Sequence, residues 1–216
     1  MIVYLPSCKF TQAFPEASGK IRAYMARQAG VRVAGCCSAA VREMTAADTA
    51  VTICMSCMGI VRETGAQHRV ISIWEYLLQD ESFPWPDLQG EAITLQDCWR
   101  AREDAALLDA VRECMRRMNI RTVEAPDNRE NCSFDGVWLM NPLPPAAMKR
   151  APEFFAAAAN AQTPVPKEAQ PQRMRDWTAQ YGTGRAVGYC NACVSGMKLG
   201  GAEAYHLMEL AVMNLE

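Results

Sequence analysis

Residues 50–59 read AVTICMSCMG, and residues 186–196 read AVGYCNACVSG. In each, a short apolar run with β-branched character stops at a Cys-x-x-Cys pair, Cys54 with Cys57 and Cys190 with Cys193. A four-residue run of that kind is a buried strand by its length and composition, so each pair sits where a strand runs out. The same junction recurs elsewhere. Cys8 follows IVYL, the doublet Cys36-Cys37 follows VRVA and Gly35, and Cys98 follows AITLQ and Asp97. Nine of the ten cysteines fall into two ordered sets: Cys8, Cys36, Cys37, Cys54 and Cys57, then Cys98, Cys132, Cys190 and Cys193.

Short strand-like runs alternate with longer helical patterns, which predicts an α/β fold on mainly parallel sheets. The expected strands are 2–5, 31–34, 50–53, 69–73, 92–96, 120–124, 137–140 and 186–189. The clearest helix is expected over 101–118, where Ala105, Leu108, Val111, Met115 and Met118 recur at three- and four-residue steps and charged side chains take the other face. In parallel sheets the strand ends share one edge. The helices that follow aim their N-termini at it, which favours anionic ligands and lowers thiol pKa values. Remote cysteines thereby become neighbours.

The repetition runs past the cysteines. VISIWEYLL follows the first pair and AYHLMELAV the second; aligning Glu75 with Glu209 sets Ile73 against Leu207 and Trp74 against Met208. Two pseudo-symmetric repeats follow, 1–85 and 86–216, divided near the FPWPDLQG stretch at 83–90. A Pro- and Ala-rich tract at about 141–172, with a helix around 152–161, reads as an insertion in the second repeat.

Composition narrows the function classes. With 216 residues, half of them apolar, the chain builds a core without covalent staples. Residues 1–10 show no basic leader, and no apolar run reaches a membrane-spanning length of about 18 residues. The expectation is a cytoplasmic protein of a reducing compartment, where cysteine pairs bind metals or do redox chemistry. A net charge of −2 with interspersed signs offers no basic stripe for nucleic acid. Cys114 matches neither set and reads as a packed core thiol. His206 reads either as a neighbour of a metal centre or as a packing residue, and the 13 methionines read as core filler.

These residues resemble the CCG-type cysteine-rich domain family, which includes the cysteine-rich subunit of heterodisulfide reductase and iron–sulfur subunits of glycolate, lactate and glycerol-phosphate oxidoreductases. VRVAGCC before the doublet, LQDCWRARED around Cys98 and the CNAC pair near the end carry the likeness, over nearly the whole chain. The resemblance implies a [4Fe–4S] cluster in each half, of noncubane type on the five thiolates of the first, between which a disulfide substrate is reduced. It implies an oxidoreductase subunit transferring electrons to a disulfide or thiol-type acceptor. The partners implied are a ferredoxin-like iron–sulfur subunit and a flavoprotein, since the chain carries no Gly-x-Gly-x-x-Gly of its own.

Two departures matter. The spacing from Cys37 to Cys54 is shorter than the family's, and the second half reads Asn131-Cys132-Ser133 where a doublet is expected. Four thiolates at Cys98, Cys132, Cys190 and Cys193 suit a cubane cluster or a tetrahedral zinc, and a five-ligand cluster would need Ser133 or another oxygen. The alternative function is a zinc-stabilised, non-redox interaction module; a metal-free dithiol oxidoreductase is a weaker third.

Overall fold

The computed structural model describes residues 1–65 and 67–216. It is an α/β protein with two all-parallel, four-stranded sheets flanked by helices. Chain contacts divide it into two units, Met1–Phe83 with Leu143–Asn160 and Leu215–Glu216, and Pro84–Pro142 with Ala161–Asn214.

In the first unit, β1 (Ile2–Leu5), β2 (Val31–Val33), β3 (Thr49–Thr52) and β4 (Arg69–Ser72) lie in the order β2-β1-β3-β4. Helices α1 (Cys8–Ala13) and α2 (Pro15–Arg27) join β1 to β2. Helix α3 (Cys37–Glu43) leads to β3, α4 (Met55–Thr64) leads to β4, and α5 (Ile73–Leu78) follows it. Apolar strands covered on both faces make the core: Val3, Tyr4, Leu5, Ala50 and Val51 are fully buried.

The second unit repeats the order as β6-β5-β7-β8, from β5 (Ala92–Leu95), β6 (Arg121–Glu124), β7 (Arg185–Gly188) and β8 (Glu203–His206). Helix α6 (Ala105–Arg117) joins β5 to β6. Its N-terminus is fixed by Asp104, whose carboxylate accepts the Leu107 amide at 3.1 Å, and it buries Leu107, Leu108, Val111 and Met115. The 141–172 tract supplies α7 (Pro145–Met148) and α8 (Pro152–Asn160), both within the first unit. Helix α8 packs on α4: Gly59 leaves the room that the Phe154 ring fills, and the Glu63 carboxylate accepts the Glu153 and Phe154 amides at 3.1 and 2.8 Å. Gly59 thus serves helix packing. Helix α9 (Gln170–Thr178) belongs to the second unit, as do α10 (Asn191–Leu199) and α11 (Leu207–Ala211).

The aligned stretches after each cysteine pair prove to be one device. Ser72 and His206 each end a strand and cap the following helix, with Glu75 and Glu209 returning to the cap backbone. Ile73 and Leu207 are the first residues of α5 and α11. Three expectations are corrected. Residues 137–140 form a 3-10 turn at Trp138–Met140, because the loop bends back on itself from Asp135, where Val137 makes only an isolated bridge to Asp135 and pairs with none of the described strands. The long helix starts at Ala105, after a separate 3-10 turn at Trp99–Ala101, since Asp104 caps a new helix. Strand β8 adds to the expected set, its alternating polar residues being an edge-strand pattern.

In both sheets the first strand lies between the second and third, so the chain leaves β1 and β3, and likewise β5 and β7, toward opposite sides. Such a switch point opens a crevice beyond the carboxyl ends of the strands. That is where the cysteines stand.

Candidate metal centres

The backbone explains how each cysteine reaches its crevice. Cys36, Cys54 and Cys190 are the cap residues of α3, α4 and α10, and Cys98 caps the Trp99–Ala101 turn, all in extended conformation. Cys54 (φ −117°, ψ 130°) and Cys190 (φ −124°, ψ 128°) are near-superposable, so the two Cys-x-x-Cys turns are one structure used twice. Cys8 and Cys37 begin α1 and α3, and Cys57 and Cys193 lie in the first turns of α4 and α10.

In the first unit the five thiols form a string. Each thiol interacts electrostatically with its neighbours along it: Cys8 with Cys36 and Cys37, Cys37 with Cys57, and Cys57 with Cys54. The hydrogen bond from Cys57 holds Cys37 down to about 6, against burial, with help from Ser38. That same pairing, together with Cys54, drives Cys57 well above the ordinary thiol range. Burial, then the charges of Cys36 and Cys37, raise Cys8. The string has an inside and an outside: Cys37 and Cys57 are buried, Cys54 is half-buried, and Cys8 and Cys36 face solvent.

The second unit is built differently. Among the described residues, Cys98, Asp135, Cys190 and Cys193 have ligand atoms that all lie within 4.8 Å of one another. The first unit's cysteines form no such group. Asp135 Oδ1 stands 3.4 Å from Cys98 Sγ and 3.8 Å from both Cys190 Sγ and Cys193 Sγ. Asp135 Oδ2 is buried without a hydrogen-bond partner. Arg100 enters beneath the group, its Nη2 donating to Asp135 Oδ1 at 2.7 Å and to Cys190 Sγ at 3.1 Å while its guanidinium lies 4.4 Å from the Trp138 ring centre. Burial pushes Asp135 up to about 7, against the pull of Arg100. Hydrogen bonds from Cys193 and Cys98, with Arg100, hold Cys190 well below the ordinary thiol range, while burial keeps Cys98 and Cys193 well above it.

Cys132 is fully buried beside this group but outside it, 3.7 Å from the Phe134 carbonyl and 4.0 Å from Gln96 Nε2. Burial pushes its thiol up to about 12. Ser133 is exposed, so the oxygen among the thiols comes from Asp135. Cys114 is buried in the helix α6 core. His206 serves as a cap, its Nδ1 accepting the Met208 amide at 3.2 Å.

A buried polar frame holds the second group in place. Tyr189 Oη accepts the Cys98 amide at 3.3 Å and donates to Asp97 Oδ1 at 3.0 Å, and Asp97 is paired with Arg112 at 2.6 Å. The Phe134 carbonyl accepts the Trp99 amide at 2.7 Å, tying the Asp135 loop to the Cys98 turn. Gly136, at φ +55°, lets the same loop lie against Ala192 in the first turn of α10, where any Cβ would strike the Ala192 carbonyl. Trp177 stacks on Phe134 with centroids 5.1 Å apart and closes the far side.

Sequence reasoning passed over Asp135 and Arg100. The available signal was an aspartate in the otherwise apolar run FDGVWLM, just past the defective doublet, where burial of an anion calls for a cation.

No helix among the described residues is long and apolar enough to cross a membrane. Comparison of the chain with protein-family models, curated proteins and solved structures finds no match.

Proposed function

We propose that the chain is an iron–sulfur redox subunit, resembling the cysteine-rich subunit of heterodisulfide reductase, that passes electrons to a disulfide or thiol-type acceptor within a multi-subunit complex. The observation that carries this reading is the string of five thiols from Cys8 to Cys57, more widely spread than the compact group of the second unit and open to solvent at Cys8 and Cys36. More than four thiol donors, strung along one crevice, exceed what a single tetrahedral ion takes and suit a centre of several irons. A [4Fe–4S] cluster bound there would supply one-electron steps to a two-electron reaction.

Cys37 and Cys57 form the buried side of that site, and Cys54 its middle. The N-termini of α3 and α4 bring backbone amides toward thiolate charge. Cys8 and Cys36 face the acceptor. Reduction of one disulfide consumes two electrons and two protons and releases two thiols. The electrons come from a ferredoxin-like iron–sulfur subunit or a flavoprotein.

The test is anaerobic purification of the full chain with iron reconstitution, followed by chemical reduction and mixing with a small organic disulfide. Broad visible absorption that bleaches on reduction and returns as two thiols appear per disulfide supports the proposal. A colourless protein without iron, or a reduced centre that no disulfide reoxidises, refutes it.

A further inference from the structure

We infer that the second unit holds a single tetrahedral divalent cation, zinc, on Cys98, Cys190, Cys193 and Asp135, with Cys132 outside the ligand set. This inference is independent of the iron–sulfur reading of the first unit. Its first support is metric. Zinc–sulfur bonds of about 2.3 Å and zinc–oxygen bonds of about 2.1 Å, set at the tetrahedral angle, place sulfur and oxygen about 3.6 Å apart. The three sulfur–oxygen edges are 3.4, 3.8 and 3.8 Å. A cube of irons and sulfides would stand between its cysteines and hold them further apart.

The second support is burial and charge. Exposures of Cys98, Cys190, Cys193 and Asp135 are 0%, 4%, 0% and 2%, so the coordination sphere has no face left for solvent or substrate, the character of a structural zinc site. The Asp135 carboxyl turns Oδ1 to the three sulfurs and leaves Oδ2 without a hydrogen-bond partner in that interior, so the protein alone under-satisfies a group that a cation on the carboxylate would hold. Three thiolates and a carboxylate around a divalent ion carry an excess of negative charge, and the Arg100 guanidinium offsets one unit of it while hydrogen-bonding two of the ligands.

The third support is preorganisation. The bonds from Tyr189, the Phe134 carbonyl and the Gly136 contact place the donors from three separate stretches of chain. The closed group of the second unit thus contrasts with the thiols of the first, two of which face solvent.

Cobalt(II) titration of the full chain carrying Cys8→Ser, Cys36→Ser and Cys37→Ser together isolates the second site. One equivalent with a tetrahedral ligand-field spectrum and thiolate charge-transfer bands is expected. Adding Cys132→Ser should leave it unchanged. Adding Cys193→Ser or Asp135→Ala should weaken binding more than about 100-fold, since loss of a mere hydrogen-bonding neighbour already costs about 10–100-fold. Asp135→Cys, which keeps a fourth donor if the alanine variant fails to fold, should bind one cobalt with added thiolate charge transfer. Loss of the signal in Cys132→Ser with indifference to Asp135 overturns the assignment. So does about four iron and four acid-labile sulfide in the triple variant after reconstitution, a result that leaves the first unit's reading standing.

Discussion

Arg100 Nη2 lies 2.7 Å from Asp135 Oδ1, and the two side chains are 4% and 0% exposed. Removing one partner of a buried ion pair strands the other charge, at a cost of about 3–5 kcal/mol. Arg100→Met in metal-free protein should lose that much stability in urea denaturation. The double variant Arg100→Met with Asp135→Asn should regain part of it, because no uncompensated charge remains.

Gly136 and Gly90 both have positive φ, +55° and +76°, but only Gly136 is closely approached. Gly90→Ala should cost about 1–2 kcal/mol, the backbone penalty alone. Gly136→Ala adds the collision with the Ala192 carbonyl, and overpacking of that kind costs about a further 1–3 kcal/mol. Thermal unfolding of the two variants should separate them, and only Gly136→Ala should impair metal uptake by the second unit.

His206 contributes a pH dependence of its own. Burial lowers its pKa to about 3, and its Nδ1 must stay unprotonated to accept the Met208 amide. The folded value lies below the unfolded one of about 6.5, so the unfolded state binds the extra proton between them. The stability this group contributes is complete above pH 6.5 and is lost as pH falls toward 3, by up to about 1.4 kcal/mol per pH unit. Asp135 and Cys37 also titrate between pH 7 and 5, so the signature is a difference: as pH falls across that window, the unfolding free energy of the parent should fall relative to that of His206→Asn, whose side chain also caps helices.

Cys114 separates packing from ligation. It is buried in α6 and burial raises its thiol, so Cys114→Ser places a hydroxyl in an apolar setting at about 1–3 kcal/mol. Iron and zinc contents should not change.

The parts of this molecule that were legible in its sequence are those with local causes. The runs before Cys8, Cys54 and Cys190 are apolar on both faces, which only a covered parallel strand tolerates, and β1, β3 and β7 lie there within a residue of expectation. The Glu75 and Glu209 alignment was legible because a capping box spans four residues. Strand β8 was not, since Glu203 faces water and Tyr205 is only half-buried at the sheet edge, which blurs the pattern. Asp135 was hidden for another reason. Its role comes from Arg100 and from Cys190, 55 residues away, and from a loop held against α10 by Gly136, none of which periodicity records.

The central claim is that the thiols of the first unit cage a cluster of iron. Iron and acid-labile sulfide, counted per chain with EPR on anaerobically reconstituted full-length protein and on Cys37→Ser, test it most directly. The account predicts about four of each in the parent, and in Cys37→Ser a lost or replaced EPR signal with the second unit's zinc intact. Full iron, sulfide and an unchanged signal in Cys37→Ser, or no sulfide in the parent, would contradict it.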